Sequence, residues 1–147
     1  MTRMIVAAAA AAILALPAVA EEHVVRMLNK GPDGDRMVFE PAVIHAETGD
    51  TVRFVPEDKG HNAVSEVVPE GAEEFRGRIN EEIVYEVSAD GVHLVKCTPH
   101  WALGMLALIV AGDDFSNLDD VRDVRKPGKA DDRFEAYLEE ARAQAEG

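Results

Sequence analysis

Cysteine is all but missing from this chain. Cys97 stands alone among 147 residues, so no intramolecular disulfide braces the fold, and no C-x-x-C-H element offers a haem attachment point. Basic residues are scarce too: 15 Lys and Arg face 28 Asp and Glu, a formal charge of −13. Such a surface repels nucleic acid, and no nucleic-acid partner is expected. With only 5% aromatic residues, the core must be built mainly from aliphatic side chains. Beyond residue 20 no apolar run is long enough to span a bilayer. Internal repeats, low-complexity tracts and Met-rich or His-rich segments are also lacking.

What is present begins with a contrast. Arg3 precedes an apolar, alanine-rich run from Met4 to Leu16, and Pro17 leads into the small-x-small site Ala18-Val19-Ala20. Residues 1–20 therefore read as a secretory signal peptide cleaved after Ala20, the run being shorter than the ~20 residues of a membrane span. Residues 21–147 then form one soluble domain, exported to the periplasm and without membrane insertion, and one charge unit more negative for the loss of Arg3. A lone thiol in an oxidising compartment is a hazard. Cys97 must be either buried and inert or occupied by a metal.

Short strands separated by turns run from Glu21 to Gly112, the pattern of an all-β sandwich. The spacing predicts strands over His23–Asn29, Ala42–Glu47, Thr51–Val55, Ile83–Ser88 and Val92–Cys97. Met105–Ala111 is an apolar run expected of a strand buried on both faces. Gly71–Arg78 is polar and irregular, with room for one helical turn. After Gly112 the period changes. Asp113 or Asp114 is placed to cap a helix carrying Phe115, Leu118 and Val121 and ending at Pro127-Gly128. A second helix starts near Ala130 with Phe134, Leu138, Ala141 and Ala145 on one face. Both are expected to cover the sandwich without a chemical role.

The chemistry gathers in Cys97-Thr98-Pro99-His100-Trp101-Ala102-Leu103-Gly104-Met105, a C-x-x-H-x-x-x-x-M loop between two strands. Thiolate, imidazole and thioether together suit copper, and His61, just past the turn Pro56–Gly60, supplies a second imidazole from another loop. Alone, His61 reads as a surface or hydrogen-bond-satisfied histidine and Met105 as core; the conjunction with the only cysteine reverses both readings. Zinc is disfavoured because methionine is a poor zinc ligand. A Cys97–His100 nucleophile pair lacks an orienting acid and an oxyanion loop, so no catalytic residue is assigned and no enzyme is expected. His23 and His45 are expected to be exposed at strand ends, and His93 lies ~13 Å from the sulfur along its strand.

At these residues the chain resembles the cupredoxins, and among them the pseudoazurins. The likeness runs through Met27–Gly31, Met37–Pro41, Gly49–Val52, Asp58–Asn62, Pro69–Ala72 and Leu94–His100, and extends to the two closing helices. The four residues between His100 and Met105 suit pseudoazurin or plastocyanin rather than amicyanin. The resemblance implies an eight-stranded Greek-key β-sandwich with two C-terminal helices, holding one type 1 copper through His61, Cys97, His100 and Met105. It implies that Asn62 supports the site, its backbone N–H donating to the Cys97 sulfur and its side chain tying the two ligand loops. It also implies a periplasmic electron carrier whose His100 edge emerges in an apolar docking patch of Trp101, Ala102 and Leu103, although a buried Trp101 is the alternative. The expected redox partners are a c-type cytochrome or a copper nitrite reductase. Relatives serving the latter carry lysines around the patch; here Lys30, Lys59 and Lys96 persist within an acidic chain, and a slight preference falls on a basic partner. The rival function, a periplasmic copper carrier or chaperone that delivers metal, is disfavoured by the missing Met-rich or His-rich segment.

Overall fold

The computed structural model describes residues 16–147. The apolar run of the expected leader falls largely on residues 1–15, outside the described residues; residues 16–20 are exposed and carry no regular structure.

Eight strands make two four-stranded sheets. β1 (Glu22–Lys30), β2 (Arg36–Glu40), β4 (Thr51–Val55) and β6 (Ile83–Glu86) form the first, in the order β2-β1-β4-β6. The second, β3-β8-β7-β5, comprises β3 (Val43–Ala46), β5 (Val64–Val67), β7 (Gly91–Lys96) and β8 (Leu106–Ala111). β1 runs parallel to β4, with Glu22 opposite Thr51, and β3 parallel to β8, with Val43 opposite Leu108; the other pairs are antiparallel. This is the eight-stranded sandwich expected, with helices following the last strand.

The two inner faces meet over Val25, Met27, Phe39, Val52, Phe54, Tyr85, Val95, Ala107 and Ile109, all buried. Alternation places these side chains inside while Val24 and Arg26 between them face water. Phe54 is wholly buried and edge-on to Phe39, so truncating it to alanine is worth about 3–5 kcal/mol. The outer face of the second sheet is covered by α1 (Leu118–Asp123) and α2 (Ala130–Ala145). Their Val121, Phe134, Leu138 and Ala141 pack on Leu94, Leu106, Leu108 and Val110. β8 is thus buried on both faces, which accounts for its unbroken apolar run.

Four expectations need correction. No helical turn forms within Gly71–Arg78; Arg76 instead makes an isolated bridge to Val64. Asn117, not Asp113 or Asp114, precedes the first helix residue, because the Asp114 carboxylate is taken by the Ser116 N–H at 2.8 Å. That helix ends at Asp123, short of Pro127-Gly128. Beyond its end Lys126 folds back, and its buried ammonium donates to the carbonyls of Val121, Arg122 and Val124. Neither His23 nor His45 is exposed: each is partly buried against a carboxylate, Asp50 and Asp113 respectively. β2 and β5, for which the periodicity gives no strand, complete the sheets.

Candidate metal centre

The loop after β7 begins with Cys97 in extended conformation and winds into a short 3-10 helix over Thr98–Leu103, with Pro99 in its first turn. Gly104 closes it in the left-handed region at φ 86°, and a Cβ there would meet the Arg133 side chain at 2.7 Å. The Cys97 N–H donates to the Met105 carbonyl (3.0 Å) and the Met105 N–H to the His100 carbonyl (3.2 Å). Three of the four expected ligand residues are therefore joined at the base of one closed loop.

His61 reaches this loop from the segment between β4 and β5. Its Nδ1 lies 3.1 Å from His100 Nδ1 and 3.8 Å from Cys97 Sγ, and His100 Nδ1 lies 3.5 Å from the same sulfur. Cys97, His61 and Met105 are fully buried, whereas His100 is partly exposed. Asn29, at the end of β1, explains the aim of His61: its Oδ1 accepts from Nε2 at 2.8 Å, so the proton sits there and Nδ1 presents a lone pair inward. Two imidazole nitrogens and a sulfur turned toward one point are the donor set of a soft or borderline metal ion.

The electrostatics agree with a cation-binding site. Burial pushes the Cys97 thiol up from its ordinary value, opposed by the N–H groups of Asn62 and His100. Burial chiefly, and then the neighbouring His100, push the His61 imidazole down, while Asp58 acts the other way. A cation reverses the penalty on the thiolate and favours the neutral imidazole.

Asn62 links the two loops. Its Oδ1 accepts the Thr98 N–H at 2.7 Å, and its Nδ2 donates to Thr98 Oγ1 (3.2 Å) and to the Gly77 carbonyl (3.1 Å). Trp101 takes a middle position, half-buried against the outer core with Lys96 over its ring, while Ala102 and Leu103 are exposed. His93 is fully buried between Tyr85 and the Ala89 carbonyl and takes no part. Two contributors had no role in the sequence reading: Asn29, and Arg133 of α2, whose guanidinium donates to the Gly104, Met37 and Arg36 carbonyls, each at 3.1 Å. The Lys129 N–H adds a bond to the Ala102 carbonyl. The second helix thus clasps the ligand loop and is more than a cover.

Residues 25–112 match the model of the copper binding proteins of the plastocyanin/azurin family. The chain is 50% identical to the pseudoazurin of Paracoccus pantotrophus over 136 residues, which is 90% of this chain and 93% of that one. Among solved structures it is similar to a pseudoazurin from Sinorhizobium (48% identity, TM-score 0.77, 80% of this chain and 93% of the other). It is likewise similar to native pseudoazurin from Hyphomicrobium denitrificans (40% identity, TM-score 0.76, 81% and 97%). The chain belongs to the plastocyanin/azurin family of copper-binding proteins and, within that family, to the pseudoazurins. Its cofactor is copper at a type 1 site, and it is a blue copper electron-transfer protein.

Proposed function

We propose that this protein is an exported, periplasmic shuttle of single electrons with no catalysis of its own, holding copper through His61, Cys97, His100 and Met105. The observation that carries the ligand assignment is the convergence of both Nδ1 atoms and the Cys97 sulfur within 3.1–3.8 Å of one another. The buried Met105 side chain at the loop's base would supply a thioether sulfur as the weak fourth donor. Copper held there supplies a Cu(II)/Cu(I) couple. The protein's part is to keep its donors still: the Asn29 bond to His61, the Asn62 bonds to Thr98 and the Arg133 bond to Gly104 hold both loops in one geometry. Ligands that barely move between oxidation states make for fast exchange.

The partly exposed imidazole of His100, bordered by Trp101, Ala102 and Leu103, is the electron's exit to a docked redox protein. Local charge supports an acidic partner such as copper nitrite reductase over a basic c-type cytochrome, which reverses the preference drawn from total charge. Arg36, Lys129 and Arg133 line a cleft of about 430 Å³ beside Leu103, against Asp35 alone. Optical and EPR spectra of the copper-loaded protein test the site. An intense thiolate-to-copper band with reversible one-electron voltammetry is expected, and a colourless or redox-silent copper complex would favour metal delivery instead. Cell fractionation with the intact mass of the exported product tests the compartment.

A further inference from the structure

A second cluster of metal-binding groups lies at the other end of the molecule. A carboxylate oxygen of Glu21, a ring nitrogen of His23 and a carboxylate oxygen of Asp50 all fall within 4.8 Å of one another. His23 and Asn29 are six residues apart on β1, and Asn29 touches His61, so at ~3.3 Å per residue the cluster sits about 20 Å from the copper centre. We propose that Glu21, His23 and Asp50 form a separate site for a borderline divalent cation, of which zinc is the representative.

The geometry supports this in three ways. His23 Nε2 and Asp50 Oδ2 are 3.0 Å apart, close to the ~3.3 Å between donors of a tetrahedral ion with bonds of about 2.0 Å. A metal ion replaces the proton that now bridges them. Asp50 is only 6% exposed and is aimed by the backbone: the Glu21 N–H donates to Oδ1 at 2.8 Å and the Glu47 N–H to Oδ2 at 2.9 Å. Such bonds orient a liganding carboxylate. Glu21 is exposed, so its side chain turns freely to complete the set, and a water fills the fourth position. The charge is also favourable. Exposed Glu22 and Glu47 flank the cluster, and Arg53 is occupied by Glu22 and Glu82; cleavage after Ala20 turns the Glu21 nitrogen into a terminal amine beside Asp50, whose proton a metal ion must displace. The other histidine–carboxylate pair among the described residues, His45 with Asp113, gathers no third donor.

The test is a titration of the copper-loaded protein, its amino terminus defined by intact mass, with zinc chloride, followed by calorimetry and native mass spectrometry. One zinc per chain in addition to copper is expected, with the blue band unchanged because copper outcompetes zinc at the thiolate centre. Loss of a mere supporting group costs roughly 10–100-fold in affinity, so His23→Gln should weaken zinc by about a hundredfold. Glu21→Gln, an exposed change that leaves the fold intact, should weaken it less, and His45→Gln should leave it as it was. Zinc bound only with loss of colour, no zinc beyond copper, or binding that survives His23→Gln would each overturn the proposal.

Discussion

Asn62 Oδ1 accepts the Thr98 N–H at 2.7 Å while Asn62 Nδ2 reaches Thr98 Oγ1 at 3.2 Å, a two-point clasp between the loops that carry His61 and Cys97. Because Asn62 is only 7% exposed, water does not replace these bonds when they are cut. Asn62→Ala leaves the Thr98 N–H and the Gly77 carbonyl short of a partner, and is expected to cost about 2 kcal/mol or more in urea unfolding. The copper-loaded variant should also lose metal to a chelator faster than the parent. Unchanged stability and unchanged copper release would show that the clasp is ornamental.

Replacing the loop's own donors separates their roles. Cys97→Ser removes the thiolate and should abolish the intense visible band altogether. Met105→Leu should keep a coloured site at a higher reduction potential, since a weak donor to Cu(II) is lost. Met105 is fully buried and belongs to the apolar cluster between the sheets, so leucine fits there with less than about 1.5 kcal/mol of destabilisation. Absorption spectra and voltammetry of the two variants decide the matter; a band that survived Cys97→Ser would remove the sulfur from the ligand set.

How much of this was legible before the fold was known depended on how local each feature is. The C-x-x-H-x-x-x-x-M loop and the apolar run of β8 declare themselves, because their meaning lies within a few consecutive residues. β5 does not: only Val64 of its four residues is buried, so no alternation exists to detect. β2 buries Val38 and Phe39 side by side and breaks the two-residue period in the same way. Asn29 meets His61 across 32 residues of chain, and Arg133 meets Gly104 across 29 and Met37 across 96. Nothing in the neighbourhood of an asparagine or arginine in the sequence announces such a contact. Net charge says little about the docking face for a related reason, since it sums over a surface whose sign changes from face to face.

Acid should reveal Asp50. Three donors, the N–H groups of Glu21 and Glu47 and then the His23 ring, hold its carboxyl at about 2 rather than the ordinary 3.8. A depressed carboxylate contributes stability that is complete above the unfolded value and is lost as pH falls through the folded one. Measured in EDTA, unfolding free energy should therefore drop between about pH 4 and pH 2, with ~1–2 kcal/mol of that drop due to Asp50. Asp50→Asn should be less stable at neutral pH by a similar amount and show a flatter profile across that window. Parallel profiles for the two proteins would place the acid sensitivity elsewhere.

The docking face gives the last prediction. Total charge is −13, which taken alone points to a basic partner, yet association is steered by the field near the contact. Beside the exposed Leu103 stand Arg36, Lys129 and Arg133, with Asp35 opposing them. Exposed Lys59 directly precedes Gly60 and His61, and exposed Lys30 directly follows Asn29. Lys96 is a weaker contributor, because Glu66 pairs with it. Arg133 is fixed by three carbonyls and is unsuitable for reversal without disturbing the loop; Lys59 and Lys129 are exposed and free of that burden. Reversing both to glutamate should slow electron transfer to an acidic copper nitrite reductase about tenfold or more at low salt, with the gap closing as salt shortens the screening length to about 8 Å near physiological ionic strength. Glu73→Lys with Glu74→Lys should change that rate little. If the lysine reversals leave the acidic partner's rate untouched while the glutamate reversals slow transfer to a basic cytochrome, the local-field argument fails and the partner is the basic one.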